Sequence, residues 1–426
     1  MLPTLADIDT ERLTGEIDTL ATFSDAPAPA VTRVLYTPAD TQARAYLIGL
    51  FEAANLQVRV DALGNTFARW AGSEPDAAPV GTGSHVDAIP HSGRYDGTVG
   101  VMGALEAFRV LRHGGFRPRR SLELLLFTAE EPTRFGIGCL GSRALSGAWT
   151  PHQLAALTDS DGISLDDARH TAGFDGALES VLLPNGCYHA FVELHIEQGP
   201  ILERDGTAIG AVTAIAAPAT LRIQFTGSGG HAGAVLMPVR RDALLGGAEL
   251  ALAVEAAAKG TDAVDTVGTT GLFQVHPGAV NSIPSRVTLE IDLRDIDLVR
   301  RDCVVTEVRA IAKEISKRRE LGLLVEVINA DPPAICDAEI VKATKVACDT
   351  LGLPCLPMVS RAYHDSLFMA RICPTGMIFI PSKDGVSHRP DEWSSPDEIA
   401  RGVAVLAHTL AHLAGSAEQK GDTDAQ

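Results

Sequence analysis

Short apolar runs of strand length alternate with amphipathic stretches of helix length along most of this chain, and this alternation limits the possible folds more than any other feature. ADTQARAYLIGLFEAANL (39–56) reads as an amphipathic helix, followed by hairpin strands QVRVDA and NTFARWA around Leu63, Gly64 and Asn65. The turn-rich GSEPDAAP (72–79) precedes PVGTGSH (79–85), a short buried strand, and a helix is expected near residues 98–112. SLELLLFTA (121–129), HAFVELHIE (189–197), TAIGAVTAI (207–215) and GMIFIPS (376–382) read as further strands. Strands interleaved with helices make βαβ units around a mixed or mainly parallel sheet, so the fold class is α/β.

The pattern changes near residue 216. ATLRIQFTG, a helical stretch at 239–258, TVGTTGLFQVHP, RVTLEIDLRD, a helix-like 296–318 and LGLLVEVINADPP follow one another as β-α-β-β-α-β. That order suits a four-stranded antiparallel sheet with two helices, inserted into the α/β domain. The expected division is 1–215, 216–330 and 331–426, the first and last together forming one domain. Ser395, Pro396 and Glu398 give the last helix its N-cap, first turn and capping box. The tail SAEQKGDTDAQ reads as disordered.

Global quantities exclude several classes. At roughly 100–200 residues per domain, 426 residues make two or three domains. A net charge of −18 disfavours nucleic acid and anionic membranes as partners. No apolar run reaches the ~18 residues of a membrane span. The start MLPTLADIDTERLTGEI is acidic and lacks an apolar signal core, so a cytoplasmic location is expected. Seven cysteines at 139, 187, 303, 336, 348, 355 and 373 show no C-x-x-C spacing, which reads as buried free thiols.

Four strand-like runs end in polar clusters. GSHVDAIPHSGRYDG (83–97) places His85, Asp87 and Asp96 in a Gly/Pro loop at a strand end, where α/β sheets bind ligands. Imidazole plus carboxylate suits Zn²⁺ or Mn²⁺, with Asp87 able to fix the His85 ring; a turn capped by Asp and His is the alternative. SLELLLF runs into TAEEPTRFG, and the adjacent Glu130 and Glu131 repel unless a cation or shared proton relieves them. One glutamate would bind metal and the other its water, without the residues saying which. FVELHIEQG puts His195 and Glu197 on one strand face, and KDGVSHRPDE brings His388 after GMIFIPS. GIGCLG (136–141) satisfies G-x-G-x-x-G but lies eight residues from its strand, so it is no dinucleotide fingerprint.

The ordered set GSHVDAIPHSGRYDG, FTAEEPTRFG, ELHIEQGPILE, GGHAGAVLMP, HPGAVNSIPS, EIDLRD, RAYHDSLFMA and IPSKDGVSHRPDE resembles the M20 metallopeptidase-type amidohydrolases over roughly residues 30–415. Within them it is similar to the branch that cleaves ureido groups: N-carbamoyl-L-amino-acid, allantoate and ureidoglycolate amidohydrolases. The resemblance implies an M20-type catalytic domain with an inserted lid/dimerisation domain, a homodimer, a small anionic ureido substrate and two divalent cations, Mn²⁺ or alternatively Zn²⁺. It makes His85 and His195 ligands of one ion and Glu131 and His388 of the second, with Asp96 bridging. Glu130 becomes the general base and Asp87 the orienter of His85, leaving His91 at the surface or rim. Gln198, Asn281 and Arg294 would bind carboxylate or ureido oxygens, and His231, reaching a neighbouring subunit, would stabilise the oxyanion. In SRAYHDS, Arg361 and Tyr363 replace glycines of the carbamoylase and allantoate members. This resembles the ureidoglycolate members and implies a narrower pocket, with Tyr363 and His364 as substrate contacts.

Overall fold

A computed structural model of the chain describes residues 2–417. The chain divides into two compact units. The first comprises Met1–Thr213, Cys336–Met358 and His364–Gln426, and the second comprises Ala214–Ile335 with Val359–Tyr363. The principal strands are β1 (Gln57–Val60), β2 (Thr66–Trp70), β3 (Val80–Ser84), β4 (Leu122–Leu126), β5 (Ala190–Ile196), β6 (Ile209–Ile215), β7 (Ala217–Thr226), β8 (Val267–His276), β9 (Arg286–Asp295), β10 (Gly322–Ala330) and β11 (Thr375–Ile380). The principal helices are α1 (Thr10–Ala21), α2 (Pro38–Ala53), α3 (Thr98–His113), α4 (Leu140–Leu145), α5 (Ala243–Lys259), α6 (Leu298–Arg319), α7 (Ala338–Leu351) and α8 (Pro396–Ala414).

The first unit is built on a mixed sheet in the order β6-β11-β5-β3-β4-β2-β1. β11, β5, β3 and β4 run parallel to one another, β6 and β2 pair antiparallel with them at the two sides, and β1 pairs antiparallel with β2. The central four strands are buried along their whole length, which explains their continuous apolar runs. On one face Leu122, Leu124 and Leu126 of β4, with Val192, Leu194 and Ile196 of β5, join the core of α1, α2, α3 and α8. On the other, Leu125 and Phe127 join Phe67, Leu140 and Phe191. The two-residue period of β5 therefore sends Glu193 and His195 to the face of Phe191. Phe127 and Phe191 meet edge to face at 5.7 Å, and burying each contributes roughly 1.5–3 kcal/mol.

The N-terminal stretch is more ordered than its sequence pattern suggests. Residues 10–21, which overlap the acidic start, form helix α1. Asp9 caps it by accepting the Arg12 N–H at 2.9 Å, and Leu13, Ile17 and Leu20 are its buried stripe. Ser395 and Glu398 make the expected capping box of α8. Of the tail read as disordered, Ser416 bridges Pro118 and Ala417 donates to the Arg117 carbonyl at 2.9 Å; residues 418–426 lie outside the described residues. The cysteines are free, but Cys187 and Cys355 are only partly buried and Cys303 is exposed, correcting the expectation of buried thiols throughout. Cys303 lies off the inward stripe of α6, which is Val304, Val308, Ala312 and Ile315. Among the described residues no helix is long and apolar enough to cross a membrane.

The second unit carries the four-stranded antiparallel sheet, in the order β8-β9-β7-β10. Leu221, Ile223 and Phe225 alternate along β7 and pack with Val287, Leu289 and Ile291 of β9 against α5 and α6. On the opposite face Arg222 pairs with Glu290 at 2.8 Å and Glu326 at 3.1 Å.

Candidate active site

The carboxyl ends of the parallel strands converge on one buried carboxylate. His85 directly follows β3, His195 is the penultimate residue of β5, Glu130 and Glu131 come four and five residues after β4, and His388 follows β11. Asp96 stands two residues ahead of α3, at the positive end of that helix. Its Oδ1 lies 3.2 Å from His195 Nε2 and 3.8 Å from His85 Nε2. Its Oδ2 lies 3.0 Å from His388 Nε2, which is also 3.1 Å from Glu131 Oε1. His85, Asp96 and His195 form one potential ligand set and Asp96, Glu131 and His388 a second, the ligand atoms of each within 4.8 Å of one another.

Neighbouring groups orient the rings. His85 Nδ1 lies 3.1 Å from the Asp87 carbonyl and 3.5 Å from its carboxylate, and His195 Nδ1 lies 2.9 Å from the Ile196 carbonyl. These contacts at Nδ1 turn each Nε2 toward Asp96, where it donates when protonated and can ligate a cation when neutral. Asp87 also fixes the glutamates, because its two carboxylate oxygens accept the backbone N–H groups of Glu130 at 3.2 Å and Glu131 at 3.0 Å. Asp87 thus meets the His85 ring chiefly through its carbonyl and the glutamate pair through its carboxylate.

Glu130 is buried, with Oε2 3.8 Å from His85 Nε2 and Oε1 accepting the Cys139 thiol at 3.4 Å. Burial, with the nearby charge of Glu131, pushes its carboxyl well above the usual range despite His85. Burial also opposes ionisation of Asp96, but hydrogen bonds from His195 and His388 outweigh it and hold that carboxyl well below its usual value. His388 is pushed up to about 11 by its contacts with Asp96 and Glu131. Among the described residues the ion-pair partners of Asp96, Glu130 and Glu131 are histidines, not Lys or Arg. Three buried carboxylates with only imidazoles opposite them are a donor set that fits divalent cations.

Further titratable groups stand near the cluster. Glu193, His195 and His364 also approach one another, but Glu193 is already satisfied by the Ser84 and Ser366 hydroxyls, each at 2.6 Å. Glu392 accepts backbone N–H groups of Tyr95 and Asp96. Burial, then the charge of Asp96, raises it to about 7. Only its place in SHRPDE could have pointed to it. Glu197, expected on the ligand face with His195, instead accepts the N–H groups of Ile201 and Leu202, both at 2.8 Å.

The expected substrate contacts have these surroundings. Gln198 Nε2 donates to Asp96 Oδ2 at 2.8 Å, and its Oε1 is buried without a partner. The His364 ring stands edge-on to His195 with centroids 4.6 Å apart. In the second unit, exposed His231 lies in a two-residue ribbon opposite Ser282, beside Asn281. Arg294 directs its fork at Asp292 (2.8 and 3.2 Å) and donates to the Arg361 carbonyl at 3.0 Å. Arg361 itself pairs with Asp265, and the two arginines line a cavity of about 360 Å³. The Tyr363 hydroxyl donates to Asp331 at 2.5 Å. His91 is exposed.

Comparison with known proteins assigns the chain to a family. The chain is 55% identical over 413 residues to a ureidoglycolate hydrolase of Arabidopsis thaliana, covering 95% of this chain and 87% of that protein. The crystal structure of AtUAH in complex with (S)-hydroxyglycine has 54% identity and a TM-score of 0.89, covering 96% of this chain and 98% of that one. An N-carbamoyl-L-amino acid amidohydrolase of Geobacillus stearothermophilus is 38% identical, covering 96% of this chain and 99% of that protein. Residues 81–412 match the model of Peptidase family M20/M25/M40, to which the chain therefore belongs.

Proposed function

We propose that this chain is a binuclear metal-dependent amidohydrolase that cleaves the ureido C–N bond of ureidoglycolate, giving glyoxylate, ammonia and CO₂. One observation carries the reading: the two oxygens of Asp96 face different ligand sets, His85 and His195 on one side and His388 with Glu131 on the other. Mn²⁺ is the proposed ion and Zn²⁺ the alternative, since both accept a His/carboxylate set. When bound, the cations would supply a water of lowered pKa, titrating near neutrality, and would polarise the ureido carbonyl.

The chain's own residues do the rest. Glu130 takes a proton from the attacking water at Oε2 and returns it to the leaving nitrogen, which departs as ammonia. The remaining carbamate loses CO₂, and the resulting hydroxyglycine eliminates a second ammonia to give glyoxylate. Gln198 Oε1, buried and without a partner, can accept a ureido N–H. His231 would donate to the oxyanion, while Asn281 and Arg294 bind carboxylate or ureido oxygens, Arg294 exchanging Asp292 for the substrate. Tyr363 and His364 complete the substrate contacts. The proposed assembly is a homodimer, in which exposed Leu236, Met237 and Val239 near His231 offer an apolar contact. The cytoplasm is the proposed compartment, consistent with free thiols.

The substrate assignment is supported by the 55% identity to a ureidoglycolate hydrolase against 38% to a carbamoylase. Ammonia release by the Mn²⁺-loaded protein from ureidoglycolate, allantoate and N-carbamoyl-L-amino acids tests it. The largest kcat/KM should belong to ureidoglycolate; a preference for either other class would move the chain to that activity.

A further inference from the structure

Glu392 follows His388 by four residues and is buried, yet none of its partners is a cation. Oε1 accepts the backbone N–H groups of Tyr95 at 2.9 Å and Asp96 at 3.1 Å. Oε2 accepts the backbone N–H of His388 at 3.3 Å. The Ser387 hydroxyl sits between two carboxylates, 2.9 Å from Glu392 Oε2 and 3.0 Å from Asp96 Oδ2. Space for this side chain is made by Gly93, where a Cβ would stand 2.4 Å from Oε1. One oxygen is thus tied to the segment bearing Asp96, the other to the segment bearing His388.

His388 needs such an anchor. Its side chain is 43% exposed, against 7% or less for Asp96, Glu131, His85 and His195. Its φ of +59° is a left-handed conformation that a non-glycine residue keeps only when its surroundings impose it.

We propose that Glu392 is the positioning residue that assembles the second cation site, holding His388 Nε2 in reach of Asp96 Oδ2 and Glu131. This rests on the binuclear reading above. Removing Glu392 would uncouple the two segments, so one ion is kept and the other weakened by the 10–100-fold characteristic of groups that support metal ligands, to order of magnitude.

Titration of Mn²⁺ into the metal-free full-length protein, with bound ion counted by atomic emission and exchange coupling read by electron paramagnetic resonance, provides the test. Wild type should bind two ions with a coupled-pair spectrum. Glu392→Gln should keep one tight ion, weaken the other about 10–100-fold, and show an isolated-ion spectrum. Ser387→Ala removes the hydroxyl that bridges Glu392 and Asp96 and should weaken the second ion about tenfold, so it serves as the readout even where Glu392→Gln does not fold. Two ions at wild-type affinity in a folded Glu392→Gln protein, or in Ser387→Ala where Glu392→Gln does not fold, would overturn the role of Glu392 and spare the binuclear reading. Fewer than two ions in wild type would instead sink that reading and this inference with it.

Discussion

His388 Nε2 and Asp96 Oδ2 meet at 3.0 Å, although one residue precedes α3 and the other follows β11. The contact raises His388 to about 11 and helps hold Asp96 well below its usual range. In the metal-free chain at neutral pH, His388 therefore carries a proton, and a cation must displace it. Mn²⁺ affinity should rise with pH, and calorimetric heats should vary with the ionisation enthalpy of the buffer. Heats identical in all buffers would contradict this. The stability linkage has the opposite sign: the His388 contribution to the metal-free fold is complete below its ordinary value near 6.5 and fades as pH climbs through about 11.

Glu130→Gln keeps the shape of the site and removes the proposed proton acceptor. The kcat for the preferred ureido substrate should fall about 10²–10⁴-fold, with two ions still bound per chain. Unchanged kcat would remove Glu130 as the base.

Gly97 caps α3 at φ +61°, and a Cβ there would stand 2.4 Å from His85 Nε2. Gly97→Ala should displace the imidazole and weaken the ion on the His85–His195 side by at least about 10-fold, the scale of disturbed ligand orientation, as measured by Mn²⁺ titration. An unchanged affinity would mean that the loop shifts without strain.

How much of this is legible in the sequence depends on whether a residue is placed by its own strand or by something distant. His85, Glu130, Glu131 and His195 come from runs whose apolar patterning marks a buried strand, so their location at strand ends can be read directly. The four-stranded sheet is equally visible because β7 and β9 alternate cleanly. Glu392 and Cys139 are not visible, since each acts by touching a residue from another part of the chain. For the same reason Arg361 and Tyr363 stand out as departures from glycine but cannot be placed with the second unit, to which Val359–Tyr363 belongs. Helix α1 escapes notice despite its Leu13, Ile17 and Leu20 spacing, because charged residues between them mask the stripe.

The site face of the main sheet should depend on the aromatic pair beneath it. Phe191 is fully buried against Phe127, and Phe191→Ala should cost roughly 3–5 kcal/mol. Denaturant unfolding measures this; a loss below about 1 kcal/mol would mean that the neighbouring layer collapses into the cavity.

Arg361 and Tyr363 bear on substrate size. Arg361→Gly together with Tyr363→Gly should lower kcat/KM for ureidoglycolate at least tenfold, about 1.4 kcal/mol, and raise it for allantoate. A parallel loss on both substrates would assign these residues to folding rather than selection.

The most direct measurement is anomalous diffraction from a crystal of the protein loaded with Mn²⁺. The binuclear account requires two peaks about 3.5–4 Å apart, one beside His85 and His195 and one beside Glu131 and His388, with Asp96 between them. A single peak, or none at Asp96, would contradict it.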